Sequence, residues 1–461
     1  MSKLYVFGIG GTGSRVIKSL VMLLGSGVPC AVDTIVPVII DPDDSAADLT
    51  RTVNAMKKYI NIRQKLDFSN SSKNNFFRTE ILESVSNFKL PLDNTRDVRF
   101  KDFMAVDTMS SENRAFVNML FSQKNLDSNM RVGFKGNPNI GSVVLNQFED
   151  SVAFRDFGNS FRQGDKIFII SSIFGGTGAS GFPLLVKNLR NSSTLPNYAL
   201  INSAQIGAIS VLPYFGVKQD DNSEIDSGTF ISKTKAALSY YYTNISENKT
   251  VNTLYYIADD IKNQYDNCDG GRGQKNNAHF IELVSAMAIL DFARGTSNDG
   301  ITIKEYGLDK DSQEVIFGDL GSDSSSVIQK PLAQFQFFSN YLKHHNYYSQ
   351  TWVKDIKLDS NLKQYIDLLR TFQDDYVTWL SEMDNNKRKF TPFDLKPSNK
   401  GSFNIIKGKT PNKLWSLKSN FDLFDGYVNK QRLITSVSKE QQFTEIFYNA
   451  TSDLMYKLFN L

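Results

Sequence analysis

The chain has 461 residues, 41% hydrophobic and 22% charged, enough apolar material for two large domains or about three ordinary ones. Lysine and arginine number 52 against 49 acidic residues, and a net charge of +3 gives no electrostatic reason to expect nucleic acid or an anionic membrane as partner. Two cysteines, Cys30 and Cys268, and three histidines, His279, His344 and His345, supply neither a disulfide framework nor a zinc-ligand spacing. The expectation is a reduced cytoplasmic protein without a metal site, with the His344–His345 pair beside Lys343 on a solvated helix face.

The chain opens directly into an apolar run, Leu4–Phe7, with no signal segment before it. Glycines follow, then a helical pattern at Val16, Leu20, Leu23 and Leu24, then a buried-type strand at 34–40 that ends in Asp41-Pro42-Asp43. Strand, glycine turn, helix and strand is the opening of a parallel βαβ unit. Residues 45–130 are polar and patchily periodic, and read as helices and loops inserted into the domain. Further strands are expected at 165–171, 206–214 and 253–257, with helices at 184–189 and 232–242 between them. The fold class is therefore α/β, a Rossmann-like doubly wound parallel sheet with helices on both faces.

The uncharged stretches 167–186 and 195–217 carry glycines, Asn, Gln and prolines, and neither has the near-continuous apolar character of a membrane span. A second glycine-rich loop at 269–273 precedes a helical run from Asn276 to Phe292 that is apolar on every side, as for a helix buried between two layers. Beyond residue 300 the texture turns helical and aromatic, over 326–380 and again over 441–458. The chain thus divides into a first unit over 1–275 with an insertion over about 45–130, a long central helix over 276–295, and a mostly helical C-terminal region over 300–461.

Three segments carry chemistry. Gly10, Gly11, Thr12 and Gly13 lie between a strand and a helix, where glycines let backbone N–H groups approach phosphate oxygens and the helix N-terminus adds partial positive charge. The spacing from Gly8 to Gly13 also fits a dinucleotide fingerprint, for which Asp41 would be the ribose acid. Gly175, Gly176, Thr177, Gly178, Ala179 and Ser180 repeat the arrangement after a second strand. Two such loops in one chain imply one ligand clasped from both sides. Gly136 and Asn137 form a third turn, suited to a terminal phosphate.

In order and spacing these segments resemble the tubulin/FtsZ superfamily. The resemblance rests on VFGIGGTGSRVIKSL (6–20), VIIDPDDSAADL (38–49), GNPNIG (136–141), DKIFIISSIFGGTGASGFP (165–183), VNTLYYIADD (251–260) and NNAHFIELVSAMAIL (276–290). It covers residues 3–295 discontinuously. It implies that Gly10–Gly13 and Gly176–Ser180 hold the α- and β-phosphates, that Asn137 lies near the γ-phosphate, and that Asp259 and Asn276 face the guanine. GTP or GDP is the cofactor this implies, Mg2+ being compatible with it, and the expected partner is the same chain or another protein.

The chain departs from the family at the signature's last glycine, replaced by Ser180, and after the central helix, where the acidic loop pattern is missing and only Asp299 and Glu305 stand as candidate catalytic acids. The helical C-terminal third puts filament formation of the FtsZ type in doubt. Two functions remain open, a nucleotide-hydrolysing protein that assembles and a nucleotide-binding switch or scaffold with little turnover. A dinucleotide-dependent oxidoreductase is less well supported, because nothing supplies a hydride-transfer acid.

Overall fold

A computed structural model describes residues 2–43, 45–68, 72–93, 95, 97–130, 133–134, 136–217, 227–260, 263–265, 271–273, 275–295, 300–307, 313–394, 405–412, 420–433 and 437–461. Asp299 and Cys268 lie outside the described residues. Seven parallel strands make the central sheet: β1 (Lys3–Ile9), β2 (Thr34–Ile40), β3 (Glu80–Ile81), β4 (Lys166–Ser172), β5 (Gln205–Val211), β6 (Thr253–Ile257) and β7 (Thr302–Tyr306). Their spatial order is β3-β2-β1-β4-β5-β6-β7. The chain winds outward one way from β1 and the other way from β4, so the crevice between those two strands is a topological switch point.

Strands buried on both faces need apolar residues at nearly every position, and β1, β2, β4 and β5 have them. Pro37 sits inside β2, where it cannot donate. Its neighbours Asp33, Ile35 and Ile39 accept through their carbonyls from Glu80, Leu82 and Leu90 on the β3 side. Pro37 continues that alternation and faces the gap left where β3 ends.

Helix α1 (Gly10–Gly25) follows β1 and is buried on nearly all sides, as its apolar run requires. Helix α2 (Ala47–Arg63) follows β2. Both α2 and β3 belong to the doubly wound layer, so the segment expected as an insertion holds two of its elements; the rest of it carries short helices, the longest being α3 (Ser111–Leu120). Helices α4 (Pro138–Leu145) and α5 (Val152–Ser160) precede β4, and α6 (Gly176–Asn191) follows it. Pro183 lies inside α6 and removes the N–H that would bond the Ala179 carbonyl. The Tyr241 hydroxyl, from helix α7 (Ser227–Tyr241), donates to that carbonyl instead at 3.3 Å.

The central helix α8 (Phe280–Arg294) starts four residues later than the apolar run, with His279 as its N-cap and Glu282 closing a capping box. After it, β7 joins the sheet beside β6, where a loop is expected from the sequence. The C-terminal region is helical: α9 (Ser322–His344), α10 (Ser360–Asp384), α11 (Asn420–Val428) and α12 (Lys439–Phe459). It packs through an aromatic cluster in which Phe76 from the N-terminal region meets Phe335, Phe338 and Tyr448. Trp379 of α10 donates to Ser19 of α1 at 3.1 Å. No helix among the described residues is long and apolar enough to cross a membrane.

Strand and helix meet closely at the first loop. A Cβ on Gly13 would lie 2.4 Å from the backbone carbon of Gly8, whereas one on Gly11 would meet nothing nearer than 3.7 Å. Gly13→Ala is expected to lower stability by about 2 kcal/mol through backbone overpacking, and Gly11→Ala to stay within about 0.5 kcal/mol of the parent. Urea unfolding midpoints of the two variants check this, and equal midpoints would contradict it.

Candidate functional site

The three glycine segments converge. Gly10 adopts a φ of +71°, and a Cβ there would sit 3.5 Å from Thr177 Cβ and 3.8 Å from the Gly178 nitrogen. A Cβ on Gly176 would lie 3.0 Å from the Asn137 nitrogen and 3.2 Å from that of Gly136. The loops after β1, before α4 and after β4 thus touch one another at the carboxyl ends of the two strands that flank the switch point. Gly10–Gly13 form the first turn of α1 and Gly176–Ala179 that of α6, and neither turn holds an acidic residue. Two helix N-termini without acidic residues in their first turns make an anion-attracting crevice.

Asn137 caps α4 through its backbone, its carbonyl accepting from Gly141 at 3.2 Å. Ser180, in place of the signature's glycine, donates to the Gly176 carbonyl at 2.7 Å. Its side chain occupies space beside Gly141, where a Cβ would come within 2.2 Å of Ser180 Oγ. The extra hydroxyl is thus accommodated by a glycine on the facing helix. Lys233 of α7 donates to the Gly136 carbonyl at 2.6 Å and brings a cation to the third loop; burial holds its pKa below the usual lysine value.

Beneath the crevice lies a buried polar network that the loop motifs do not announce. Arg15 Nε donates to Glu282 of α8 at 2.5 Å, Nη2 to the Tyr214 hydroxyl at 2.8 Å, and Nη1 to Asp48 of α2 at 3.4 Å. Burial works against the guanidinium charge, but Tyr214, Glu282 and Asp48 together hold its pKa well above the ordinary arginine value. Arg51 bonds Asp48 and Glu382, and Lys18 lies 3.5 Å from Glu382, so α10 of the C-terminal region closes the network. Burial lowers the Lys18 pKa, while Glu382 opposes the shift.

The two residues expected at the base have different partners. Asn276 donates from its backbone and from Nδ2 to Asp48, the side-chain bond being 3.0 Å, which places it next to α2 on the crevice side. Asp259, at the end of β6, pairs instead with Arg388 at 2.8 Å and lines a separate cavity with Phe280, Ile281, Val284, Met287 and Tyr306. Burial raises the Asp259 pKa and Arg388 opposes that shift. Asp41 accepts from the Asp43 nitrogen at 3.0 Å. The more deeply buried Asp43 accepts from the Ser45 nitrogen and hydroxyl and, at 2.6 Å, from the Gly271 nitrogen, so it ties the end of β2 to the segment before α8. Glu305 is exposed on β7, at the edge of the sheet and three strands from β4, about 14 Å by strand spacing alone.

No protein-family model matches this chain, and no curated protein matches it. Solved structures similar to it include a FtsZ variant from M. jannaschii, at 14% identity and a TM-score of 0.28 over 56% of this chain and 46% of that one. CetZ1 from Haloferax volcanii, a GDP-bound monomer, is similar at 15% identity and a TM-score of 0.29, over 55% of this chain and 50% of that one. CetZ2 from the same organism, a GTPgS-bound protofilament, is similar at 14% identity and a TM-score of 0.29, over 64% of this chain and 58% of that one. The chain therefore spans about half the length of the FtsZ and CetZ1 chains it matches.

His279 stands at the centre of these contacts, 1% exposed, with Nδ1 accepting from the Ile281 nitrogen at 3.1 Å. Burial, aided by Arg15 and Arg388, pushes its pKa down to about 3. Unfolding releases it to an ordinary value near 6.5, so below that pH the unfolded chain takes up a proton that the folded chain refuses. Stability therefore falls as pH drops from about 6.5 toward about 3, by about 2 kcal/mol between about pH 7.5 and about pH 5. His279→Asn keeps a capping side chain without a titrating group. Urea unfolding at the two pH values should show a shallower loss for the variant, and identical slopes would count against the assignment.

Proposed function

We propose that the chain binds a guanine nucleotide in the crevice between β1 and β4, with the phosphates on the glycine loops. The observation that carries this is that Gly176–Gly178 meets Gly10 on one side and Gly136 on the other, segments 40 or more residues apart that come together at the switch point with two helix N-termini beside them. The cradle fits phosphate because side chains there would fill it. In this reading Gly10, Gly11, Thr12 and Gly13 take one side of the phosphates, Gly175–Ser180 the other, and Asn137 with Lys233 the terminal one. Asn276, its Nδ2 held by Asp48, presents its carbonyl oxygen to the N1–H and N2–H2 donors of guanine. Adenine offers no such pair, and an unmet acceptor there costs about 1–3 kcal/mol. In this reading Asp41, just past the carboxyl end of β2, takes the ribose, and Mg2+ would accompany the triphosphate. Asp259, engaged by Arg388, supports the pocket wall in this reading and need not touch the base.

The test is thermal stabilisation by GTP, GDP and ATP. Stabilisation by the guanine nucleotides should exceed that by ATP, and Gly11→Glu should abolish it while leaving the unliganded melting temperature near the parent's. Lys233→Ala should weaken GTP more than GDP. Equal stabilisation by ATP and GTP would sink the guanine assignment; unchanged GTP binding by Gly11→Glu would sink the pocket.

Glu305 lies on the far edge strand, so it cannot serve the crevice of its own chain. Glu305 would then act on the nucleotide of a neighbouring copy, the role the resemblance also implies for Asp299, a reading that makes hydrolysis depend on assembly. Specific GTPase activity is then expected to rise with protein concentration and to fall in Asp299→Ala or Glu305→Ala without loss of binding. Sedimentation alongside the assay relates the two. Concentration-independent turnover untouched by either change would place the chemistry within one chain, and undetectable turnover would favour a nucleotide-binding scaffold.

A further inference from the structure

Helix α11 packs on α9 and α12 through Phe421 and Phe424, and at one corner of it a polar cluster meets the end of α9. His345 follows the last turn of α9, its nitrogen donating to the Tyr341 carbonyl at 3.0 Å. The imidazole lies between aromatic rings, 4.9 Å from Tyr341 and 5.5 Å from Phe421 by centroids, which fixes the plane of the ring. Its Nε2 is 2.9 Å from Asp425 Oδ2 on α11. The other oxygen of Asp425 accepts from the Tyr341 hydroxyl at 2.5 Å. Burial, reinforced by Asp425, keeps that phenol protonated, so it remains a donor. One turn earlier on α11, Asp422 presents a third ligand atom; the imidazole nitrogen and the two carboxylate oxygens lie within 4.8 Å of one another. Asp422 is exposed, Asp425 buried and His345 between them, so one side of the cluster opens to water.

We propose that His345, Asp422 and Asp425 form a divalent-metal site, best suited to zinc(II), which clamps α11 onto α9. One imidazole and two carboxylates are a donor set for a borderline ion, and three protein ligands with an open side leave the fourth position to water. At metal–ligand distances of about 2.0–2.1 Å the tetrahedral ligand–ligand separation is about 3.4 Å, so the ion takes the place of the 2.9 Å His345–Asp425 hydrogen bond, with the exposed Asp422 closing in from within 4.8 Å. Two features go beyond a plain His–Asp hydrogen bond. Asp422 and Asp425, at i and i+3, bring two carboxylates to one side of α11, and the Tyr341 hydroxyl occupies the outer oxygen of Asp425, orienting the inner one toward the imidazole, as outer partners of metal ligands do. The sequence conceals this site because His345 and the two aspartates are 77 and 80 positions apart. The expectation that His344 and His345 share a solvated face holds for exposed His344 and not for His345, whose side chain is only 15% exposed.

The test uses the full chain, stripped with a chelator, then titrated with zinc(II) in competition with a chromophoric chelator and followed by thermal melting. One equivalent should bind and raise the melting temperature. Asp422→Asn, at an exposed position, and His345→Gln, which keeps a hydrogen-bonding side chain, should each weaken affinity by about tenfold or more and remove the stabilisation. No binding by the parent overturns the proposal. So does one equivalent bound equally well by both variants, since the zinc would then sit elsewhere, for example on a cysteine.

Discussion

A single buried guanidinium sets the arrangement of the elements beneath the crevice. Arg15 sits in the second turn of α1, on a helix with almost no exposed face, and must find anions inside the protein. It finds Glu282 on α8 and Asp48 on α2, with the Tyr214 hydroxyl filling a further donor position. A buried charge of this kind contributes little net stability when fully paired, yet removing one partner costs about 3–5 kcal/mol. The relative positions of α1, α2 and α8 are therefore restricted to those that keep the set closed. Glu282 also caps its own helix by accepting from the His279 nitrogen at 3.1 Å, so the start of α8 and the Arg15 contact are one unit. Asp48 meanwhile holds Asn276, which passes the same constraint to the segment just before α8.

That network continues into the C-terminal region. Glu382 of α10 accepts from the Ala278 nitrogen at 3.1 Å and pairs with Arg51 and Lys18, while Asn386 donates to the Ala278 carbonyl at 2.7 Å. The backbone of Ala278, just before α8, is gripped from α10 and from Asn386 after it. The C-terminal helices are thus part of the wall of the N-terminal unit, even though the sequence suggests a boundary near residue 300.

Local signals carried the sheet and little of its surroundings. The strands at 34–40 and 253–257 follow from apolar runs bounded by polar turns, and the glycine loops from their spacing alone. Asp43 and Asp48 were readable only as a polar turn after β2, since their partners Gly271 and Asn276 lie more than two hundred positions away. A further signal lies in α1 itself: two cations, Arg15 and Lys18, inside an otherwise apolar helix require buried carboxylates somewhere in the fold. The strand at 302–306 was hidden by an Asn-Asp-Gly turn and by its mixed pattern, because an edge strand pairs on one side only and need not be apolar. Asp259, which the resemblance sets facing the base, has a buried partner of its own, Arg388, in a segment the resemblance does not cover.

The shape of the sheet's two margins bears on how copies of the chain can meet. On one side β3 is only two residues long, and on the other β7 is five, with Lys304 and Glu305 adjacent along it and Lys304 bonded to Asp291 at 2.5 Å. A strand arriving from a second molecule would find too little backbone to pair with at the first margin and would have to displace a salt bridge and desolvate charge at the second. Among the described residues the central sheet is guarded in this way against strand-by-strand pairing, which leaves contacts between copies to side chains rather than to its backbone.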